Sequence, residues 1–297
     1  MRVCAVIVTY NRVSDLEKCI IANLNQTYIP DILVVDNAST DETFDLLRKY
    51  EKNKYVKYIR LPQNLGGAGG FYYGMKTAFE SGKYDCVWLM DDDGRPAKED
   101  CLEALLKVVK DISAKQYILN SLVICDEKNM SWGLMGETKV RNILRNATRD
   151  NLIIGKINPF NGTLVSYETY KKIGLPRKEF FIKGDESEYS MRAEKNGVFI
   201  ATCVTSKFYH PQFTLEKVSI GKRRVAKIDE PYWKMYYRAR NGVELHKLYG
   251  TKEDVFWHVF EVLYSTLKSK EDRGRKLRYT IIGLVDGFRG NFKRIKF

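Results

Sequence analysis

The chain of 297 residues has few of the residues that form disulfide bonds or ligate metals. It holds 6 cysteines, none of them in a C-x-x-C pair, and 3 histidines, so the sequence predicts neither a disulfide framework nor a cysteine-rich zinc site. It contains no run of eighteen apolar residues, which a membrane-spanning helix needs. We therefore expect a cytoplasmic protein with reduced thiols that is at most peripheral to a membrane.

Two nucleotide-binding fingerprints are also absent. Residues 9–12, which follow the first predicted strand, lack G-x-G-x-x-G, and the glycine-rich residues 66–70 lack G-K-[ST]. The sequence therefore supports neither an NAD(P) site nor a P-loop.

The net charge is positive and unevenly distributed. Lys and Arg number 50 against 37 Asp and Glu, which gives +13 at pH 7. Residues 268–297 hold ten basic and three acidic side chains, hence +7. Such an excess attracts an anionic partner, which can be a membrane surface or a nucleic acid.

Strand-like apolar runs alternate with helix-length stretches in the first part of the chain. They follow in the order 3–8, 14–25, 32–35, a helix from Ser39, 56–61, 70–81 and 86–90. This alternation predicts an α/β fold, Rossmann-like, with a mostly parallel sheet flanked by helices. Residues 39–42, Ser-Thr-Asp-Glu, fit a capping box for the second helix. Helical spacing of apolar residues from 232 onward predicts a helical C-terminal appendage.

Polar or glycine-rich segments follow each of the first four predicted strands, at residues 9–12, 36–39, 64–71 and 91–94. Ligands of open parallel sheets bind at the carboxyl ends of the strands, so these segments are predicted to share one edge. Asp36 can accept hydrogen bonds from a ribose or a base, or it can cap the helix that follows.

Asp91, Asp92 and Asp93 are three adjacent carboxylates, which repel one another unless a cation or hydrogen-bond donors compensate them. Alternate residues of an extended segment point to the same side, so Asp91 and Asp93 can both ligate one Mg²⁺ or Mn²⁺. The alternative is an acidic turn that caps the next helix.

Two later segments also carry chemistry. Asp185, Glu186 and Glu188 stand at the start of a predicted helix, where carboxylates equally suit the helix dipole. His210 follows a strand-like region and precedes a proline, and it can be a metal ligand or a packed histidine.

In their order along the chain, these motifs resemble those of the family 2 inverting glycosyltransferases of GT-A fold. The motifs are Val-Thr-Tyr-Asn-Arg12, Val-Val-Asp-Asn-Ala-Ser-Thr-Asp41, Asn-Leu-Gly-Gly-Ala-Gly-Gly-Phe71, Met-Asp-Asp-Asp-Gly94 and Gly-Asp-Glu-Ser-Glu-Tyr-Ser-Met-Arg192. The glycine-rich segment and the triple aspartate are most similar to the galactofuranosyltransferase branch, with bacterial rhamnosyltransferases close behind. The resemblance implies a catalytic domain at 1–215, with a nucleotide-sugar half at 1–111 and an acceptor half at 112–215, and a basic helical region at 216–297.

The resemblance also implies a role for each matched residue. Asp91, Asp93 and His210 would coordinate Mn²⁺ or Mg²⁺. The catalytic base would be Glu186 or the preceding Asp185, because the family's usual aspartate falls on a glutamate here. Phe160 would be an aromatic platform for the acceptor, although it can equally belong to the core. The nucleotide-sugar would be held by Thr9, Tyr10, Arg12, Asp36, Asn64, Gly66, Gly67, Gly69, Gly70 and Asp92, and the acceptor by Phe160, Asn161 and Glu188.

An enzyme of this kind would transfer a sugar from a nucleotide diphosphate donor to a hydroxyl of a glycan or polyprenyl-linked glycan in cell-surface polysaccharide assembly, for a cell wall or capsule. Galactofuranose is favoured, and rhamnose from dTDP-rhamnose is the alternative. The basic C-terminal region would bind the anionic inner face of the plasma membrane or pack in a homodimer. The rival class is a nucleic-acid-binding protein or metal-dependent nuclease; it leaves three aspartates facing phosphate, so no nucleic acid is expected.

Overall fold

The computed structural model describes residues 1–212, 216–220, 223–293, 295 and 297. The chain divides into two compact units, Met1–Pro176 with Arg192–Phe213 and Arg177–Met191 with Thr214–Phe297. The acidic residues 185–188 therefore group with the C-terminal part of the chain. The division into domains at residue 215 stays a prediction.

The first unit is a sheet of eleven strands flanked by helices. Its strands are β1 (Val3–Thr9), β2 (Asp31–Asp36), β3 (Val56–Arg60), β4 (Cys86–Asp91), β5 (Arg95–Pro96), β6 (Tyr117–Ile124), β7 (Asn129–Leu134), β8 (Glu137–Lys139), β9 (Leu152–Ile154), β10 (Thr163–Ser166) and β11 (Phe199–Tyr209). Its helices are α1 (Val13–Leu24), α2 (Thr43–Lys49), α3 (Gly66–Glu80), α4 (Cys101–Asp111), α5 (Val140–Leu144) and α6 (Tyr167–Ile173), while α7 (Asp185–Lys195) begins in the second unit and ends in the first.

The strand order of the main sheet is β3-β2-β1-β4-β10-β6-β11-β5. Strands β3, β2, β1 and β4 are parallel neighbours. Strand β10 is antiparallel to both β4 and β6, and β6 is parallel to β11. The sheet is therefore mostly parallel around its first four strands, as the alternating pattern predicts, and is mixed beyond them.

The central strands are buried on both faces. Every residue of β1 and of β6 is buried, which is why these strands appear in the sequence as nearly continuous apolar runs. The largest buried side chain, Trp88 of β4, packs edge to face against Phe208 of β11, with ring centroids 6.3 Å apart. Burial of this kind holds the strand ends, and the polar residues that follow them, in fixed places.

The capping box expected at residues 39–42 is wrong. Helix α2 begins at Thr43, and its N-cap residue, Glu42, makes no side-chain capping hydrogen bond. Ser39 instead accepts a hydrogen bond from the backbone N–H of Asn11 through its hydroxyl oxygen, at 3.0 Å. The serine is needed by the turn after β1, so it does not start the helix.

The glycine-rich residues 66–70, expected to form a loop ahead of a helix at 70–81, are the first turn of α3. The glycines let this helix approach the sheet closely. A Cβ at Gly70 would lie 2.3 Å from Val8 Cγ1, and one at Gly74 would lie 2.4 Å from Val6 Cγ1. Gly70 of this turn, and Gly74 one turn later, are therefore required by the packing of α3 on β1.

The second unit contains a hairpin and three long helices. Its elements are a 3₁₀ turn (Lys178–Phe180), β12 (Glu216–Ile220), β13 (Arg223–Lys227), α8 (Tyr232–Tyr249), α9 (Lys252–Leu267) and α10 (Arg273–Arg289). The three helices confirm the helical periodicity, whereas the hairpin was not expected. A Cβ at Gly283 or Gly287 of α10 would lie 2.4 or 2.6 Å from a backbone oxygen of α8, so glycine sets the close contact of these two helices. None of the described helices has the length and apolar character to cross a membrane.

Candidate functional site

Polar residues of the first unit gather where its parallel strands end. Strand β11 runs in the same direction as β4, because both are related to β10 through antiparallel pairing, directly for β4 and through β6 for β11. Thr9, Asp36 and Asp91 end β1, β2 and β4, and His210 follows β11. The edge expected from the sequence is therefore present, with Tyr10 exposed beside it.

Asp92 is buried and connects the ends of β1 and β4 through hydrogen bonds. Thr9 Oγ1 donates a hydrogen bond to Asp92 Oδ2 at 2.8 Å, and Arg12 Nη1 donates to Oδ1 at 3.2 Å. Burial raises the pKa of Asp92 to about 6, against the opposing effects of Thr9 and Arg12. This carboxyl group, predicted to touch the donor, is committed to two neighbours within the protein.

Asp93 joins the end of β4 to the end of β11. Its Oδ1 lies 3.2 Å from His210 Nε2, and its Oδ2 accepts a hydrogen bond from Arg12. Burial alone would raise the pKa of Asp93, but the hydrogen bonds and charges of His210 and Arg12 hold it below its usual value. Asp93 and His210, predicted from distant parts of the sequence, are therefore neighbours.

The surroundings of His210 aim its Nε2 at Asp93. Its Nδ1 lies 2.8 Å from the carbonyl oxygen of Pro211, and its ring packs on Trp132 with centroids 4.1 Å apart. That carbonyl accepts a hydrogen bond from Nδ1–H, which fixes the ring so that Nε2 faces Asp93.

The Asp93–His210 pair fits a hard divalent cation. The two atoms that face each other are 3.2 Å apart, and adjacent ligand atoms of an octahedral Mg²⁺ are ~3 Å apart. In the described part of the chain, no three His, Cys, Asp or Glu side chains are grouped to hold a metal by themselves. Mg²⁺ usually keeps positions for water and substrate phosphate, so a site with few protein ligands agrees with its chemistry. Asp91, the third predicted ligand, ends β4 and is partly buried.

Asp36 is fully buried at the end of β2. Its Oδ1 accepts a hydrogen bond from the N–H of Ser39 at 2.8 Å, and its Oδ2 lies 3.3 Å from Arg60 Nη1. Arg60 Nη2 also donates to the carbonyl oxygen of Ser39 at 2.7 Å. Asp36 thus shapes the turn after β2, beside an arginine that the sequence analysis did not identify.

The start of α3 is held by an asparagine that the sequence analysis also missed. Asn37 Nδ2 donates to the carbonyl oxygen of Gly66, and its Oδ1 accepts from the N–H of Leu65, both at 2.8 Å. Asn64 Oδ1 accepts from the N–H of Gly66 at 2.8 Å. A side chain at Gly67 would meet no heavy atom within 4 Å, so open space borders this turn.

Phe160 and Asn161 lie in a loop fixed by Asn120. Asn120 Nδ2 donates to the carbonyl oxygen of Asn161 at 2.7 Å, and its Oδ1 accepts from the N–H of Asn158 at 2.6 Å. Phe160 is 2% exposed, and its ring packs on Phe71 with centroids 4.6 Å apart. This burial agrees with the core alternative for Phe160 rather than with an acceptor platform.

In the second unit, Asp185, Glu186 and Glu188 lie in the first turn of α7. Asp185 and Glu188 are buried, whereas Glu186 is partly exposed. The hydroxyl of Tyr249 donates to Glu188 Oε1 at 2.8 Å. Of the three carboxylates, Glu186 is therefore the one that solvent reaches most easily.

The backbone that leads into α7 adopts an uncommon conformation. The φ angles of Phe181, Lys183 and Gly184 are 66°, 67° and 87°. Each non-glycine residue held in this left-handed region costs on the order of 1–3 kcal/mol, and such residues persist only where neighbouring groups enforce them.

Asn241 of α8 is the group that enforces this conformation. Its buried Nδ2 lies within hydrogen-bond distance of three carbonyl oxygens, those of Phe180 at 3.0 Å, Ile182 at 2.9 Å and Lys183 at 2.8 Å. The preceding Arg240 donates to the carbonyl oxygen of Phe180 as well, at 3.1 Å. Helix α8 therefore holds the segment that carries the acidic turn.

Solved structures share this arrangement of sheet and helices. A mannosyltransferase from Pyrobaculum calidifontis, PcManGT, in complex with GDP-Man and Mn²⁺, matches with a TM-score of 0.57 at 16% identity, over 97% of this chain and 75% of that one. Residues 1–349 of S. aureus TarS in complex with UDP-GlcNAc match with a TM-score of 0.53 at 14% identity, over 98% and 90%. The fold is therefore GT-A, a mostly parallel sheet flanked by helices, with C-terminal helices.

The family described as Glycosyl transferase family 2 matches residues 4–170. Galactofuranosyltransferase GlfT1 of Mycolicibacterium smegmatis is 32% identical over 250 residues, 80% of this chain and 81% of that protein. dTDP-rhamnosyl transferase RfbF of Shigella flexneri is 26% identical over 306 residues, 96% and 95%. The chain belongs to glycosyl transferase family 2, and it is a glycosyltransferase rather than the nucleic-acid-binding protein considered as the rival class.

We expect the substitution Asn241→Ala to destabilise the protein by ~1–3 kcal/mol, because it removes the side-chain donor of the carbonyl oxygens of Ile182 and Lys183. Thermal unfolding would measure the loss, and hydrogen exchange would show faster exchange at residues 180–184. The control is Asn146→Ala, which removes an exposed side-chain hydrogen bond to the carbonyl oxygen of Asn142. Equal stability and exchange in Asn241→Ala and the wild type would show that other groups hold this segment.

Proposed function

We propose that this chain is a metal-dependent, inverting glycosyltransferase that transfers galactofuranose from a nucleotide diphosphate donor to a hydroxyl of a glycan or lipid-linked glycan. The observation that carries the proposal is the Asp93–His210 pair at the carboxyl ends of β4 and β11, in a chain that is 32% identical to a galactofuranosyltransferase. The cell-surface setting, in cell wall or capsule assembly, belongs to the same proposal.

The choice of donor depends on the relatives. GlfT1 is the more similar in sequence, whereas the rhamnosyltransferase RfbF matches 96% of the chain, including its C-terminal helices. Galactofuranose is therefore the first candidate and rhamnose the second. The TarS and PcManGT complexes support a nucleotide-sugar donor of either kind, because both of those proteins hold one.

Asp93 and His210 would hold the divalent cation, Mn²⁺ or Mg²⁺, because the described residues do not group Asp91 with them as a third ligand. When bound, the cation stabilises the negative charge that develops on the departing nucleoside diphosphate. The chain therefore needs no carboxylic acid to protonate the leaving oxygen, unlike an inverting glycosidase. Thr9, Arg12 and Asp36 would orient the nucleotide at the same sheet edge, with the turn at residues 64–70 beside them.

The protein must also supply a base that takes the proton from the acceptor hydroxyl as its oxygen attacks the anomeric carbon. Attack on the face opposite the diphosphate inverts that carbon. Glu186 is the better candidate because it is partly exposed, whereas Asp185 is buried. Glu188, expected to bind the acceptor, already accepts a hydrogen bond from Tyr249.

The acceptor would be presented at an anionic membrane surface by helices α9 and α10. Large apolar side chains stand exposed on both helices, among them Phe256 (62%), Leu267 (54%), Ile281 (47%) and Phe288 (53%). Exposed cations flank them at Lys252, Lys268, Arg275, Arg278 and Arg289. Apolar side chains framed by cations favour an anionic bilayer over a second copy of the same positive surface.

The exposed faces of the two helices begin side by side. The hydroxyl oxygens of Thr266 and Thr280, both buried, lie 3.0 Å apart. The next residue on each helix, Leu267 and Ile281, is exposed. The exposed apolar side chains of α9 and α10 therefore begin at neighbouring points of the two helices, and both sets can insert into the same membrane surface.

Asp93→Asn should weaken Mn²⁺-dependent binding of UDP by at least roughly tenfold, because even groups that only support metal ligands cost 10–100-fold. Isothermal titration with UDP, with and without Mn²⁺, measures the effect. The control is Asp100→Asn, an exposed aspartate ahead of α4 that makes no capping hydrogen bond. Unchanged affinity in Asp93→Asn would show that Asp93 is not part of the metal site. The donor is decided by a separate measurement, which compares the rates at which the wild type hydrolyses UDP-galactofuranose and dTDP-rhamnose.

Glu186→Gln should leave UDP–Mn²⁺ binding intact and lower the transfer rate by roughly 10²–10⁴-fold, the usual contribution of a general base. Product formation from the preferred donor, under saturating conditions, measures the rate. Asp185→Asn is the matched comparison at the neighbouring carboxylate. A loss of rate in Asp185→Asn alone would assign the base to Asp185.

The double substitution Phe256→Ser with Phe288→Ser should reduce binding to anionic vesicles, by roughly tenfold for each phenylalanine if burial of its side chain contributes about 1.5 kcal/mol. Flotation with phosphatidylglycerol vesicles measures the binding, and phosphatidylcholine vesicles test the charge requirement. Leu144→Ser changes an apolar residue of α5 that is 45% exposed and serves as the control. Equal flotation of the double variant and the wild type would contradict the membrane role, and dimer loss in the variant would assign the face to a second copy.

A further inference from the structure

Arg12 links the two carboxylates at the end of β4. One nitrogen of its guanidinium group, Nη1, donates to Asp92 Oδ1 at 3.2 Å and also to Asp93 Oδ2. Its side chain is half exposed, with 50% of its surface accessible. The arginine therefore supplies the nearest positive charge to this pair from a place where its side chain has room to move.

Both oxygens of Asp93 are occupied by groups of the protein. Arg12 holds Oδ2, and Oδ1 faces His210 Nε2 at 3.2 Å. A divalent cation bound to Asp93 and His210 would lie close to the guanidinium group and repel it. Asp92 would keep its hydrogen bond from Thr9 when the arginine leaves.

We propose that Arg12 is the resident counter-cation of Asp92 and Asp93, and that a divalent metal displaces it and so frees it for the anionic diphosphate of the donor. This inference rests on the proposed metal site and names how metal and donor are coupled there. Metal entry removes Arg12 from the carboxylates, and the diphosphate then offers the guanidinium a new anionic partner. Each ligand strengthens the binding of the other by the same factor, because their coupling is reciprocal.

The test measures Mn²⁺ binding to the full chain without nucleotide, by electron paramagnetic resonance of free Mn²⁺. Arg12→Gln should bind Mn²⁺ more tightly than the wild type, by roughly fivefold or more, since the metal no longer competes with a cation. UDP should then strengthen Mn²⁺ binding less in Arg12→Gln than in the wild type. Arg12→Lys keeps a positive charge and should restore a weaker, wild-type-like affinity.

Arg60→Gln is the matched control. Arg60 is also a partly exposed arginine (41%) that pairs with a buried aspartate at the same sheet edge, Asp36. Its guanidinium group pairs with Asp36 and donates to the carbonyl oxygen of Ser39, and not to Asp92 or Asp93. Its loss should leave the Mn²⁺ affinity of the nucleotide-free protein unchanged.

A folded Arg12→Gln protein that binds Mn²⁺ no more tightly than the wild type would overturn the inference. If that variant does not fold, nitrogen-15 spectra of the arginine side chains of the wild type provide the test. The Arg12 signal is the one that is missing from the spectrum of Arg12→Lys, and Mg²⁺ should shift it. A signal that Mg²⁺ leaves unchanged would contradict the displacement of Arg12. These measurements use no sugar donor, so they are independent of sugar transfer. If the metal displaces Arg12 but no sugar is transferred, only the proposed function is overturned. If sugar is transferred but the metal does not displace Arg12, only the role of Arg12 is overturned.

Discussion

Compensation of negative charge at the end of β4 is the constraint on which the candidate site depends. Three aspartates follow one another where a buried strand reaches the sheet edge, and such a cluster is stable only with cations or donors around it. The fold brings a hydroxyl from β1, the guanidinium group that follows β1 and the imidazole that follows β11 to Asp92 and Asp93. The carboxylates thereby connect three strand ends, and the same contacts surround the proposed cation site.

A second constraint acts in the other compact unit, where buried carbonyl groups need donors. The left-handed residues before α7 turn three carbonyl oxygens toward α8, and Asn241 supplies the donor. Arg240 adds a further donor from the same helix, at the cost of burying a guanidinium group whose pKa burial lowers. The acidic turn of α7 is therefore held to α8 by hydrogen bonds to the backbone that precedes it and by the hydrogen bond from Tyr249 to Glu188.

The sequence was sufficient for features that depend on periodicity. The first four strands, and the edge where their polar ends meet, follow from apolar runs separated by helix-length stretches, because parallel strands put their carboxyl ends together. It was not sufficient where a residue acts through a distant partner. Gly70 looks like a loop glycine until Val8 is found against it, and Asn241 has no local signal because its carbonyl partners lie about sixty residues earlier. Ser39 failed as a helix cap for the same reason, since its hydroxyl serves Asn11.

The grouping of residues 177–191 with the C-terminal helices changes how the basic region has to be understood. Helix α8 holds the acidic segment through Asn241, and α10 packs on α8 so closely that only glycine fits at two contacts. Removing α10 would therefore disturb the helix that positions the candidate base as well as the exposed apolar side chains. Any effect of such a truncation on membrane binding would be inseparable from an effect on chemistry, whereas single substitutions on the exposed faces of α9 and α10 leave the α8 contacts in place. A lipid-linked acceptor bound at those faces would therefore bind the same compact unit that carries Glu186, the proposed base.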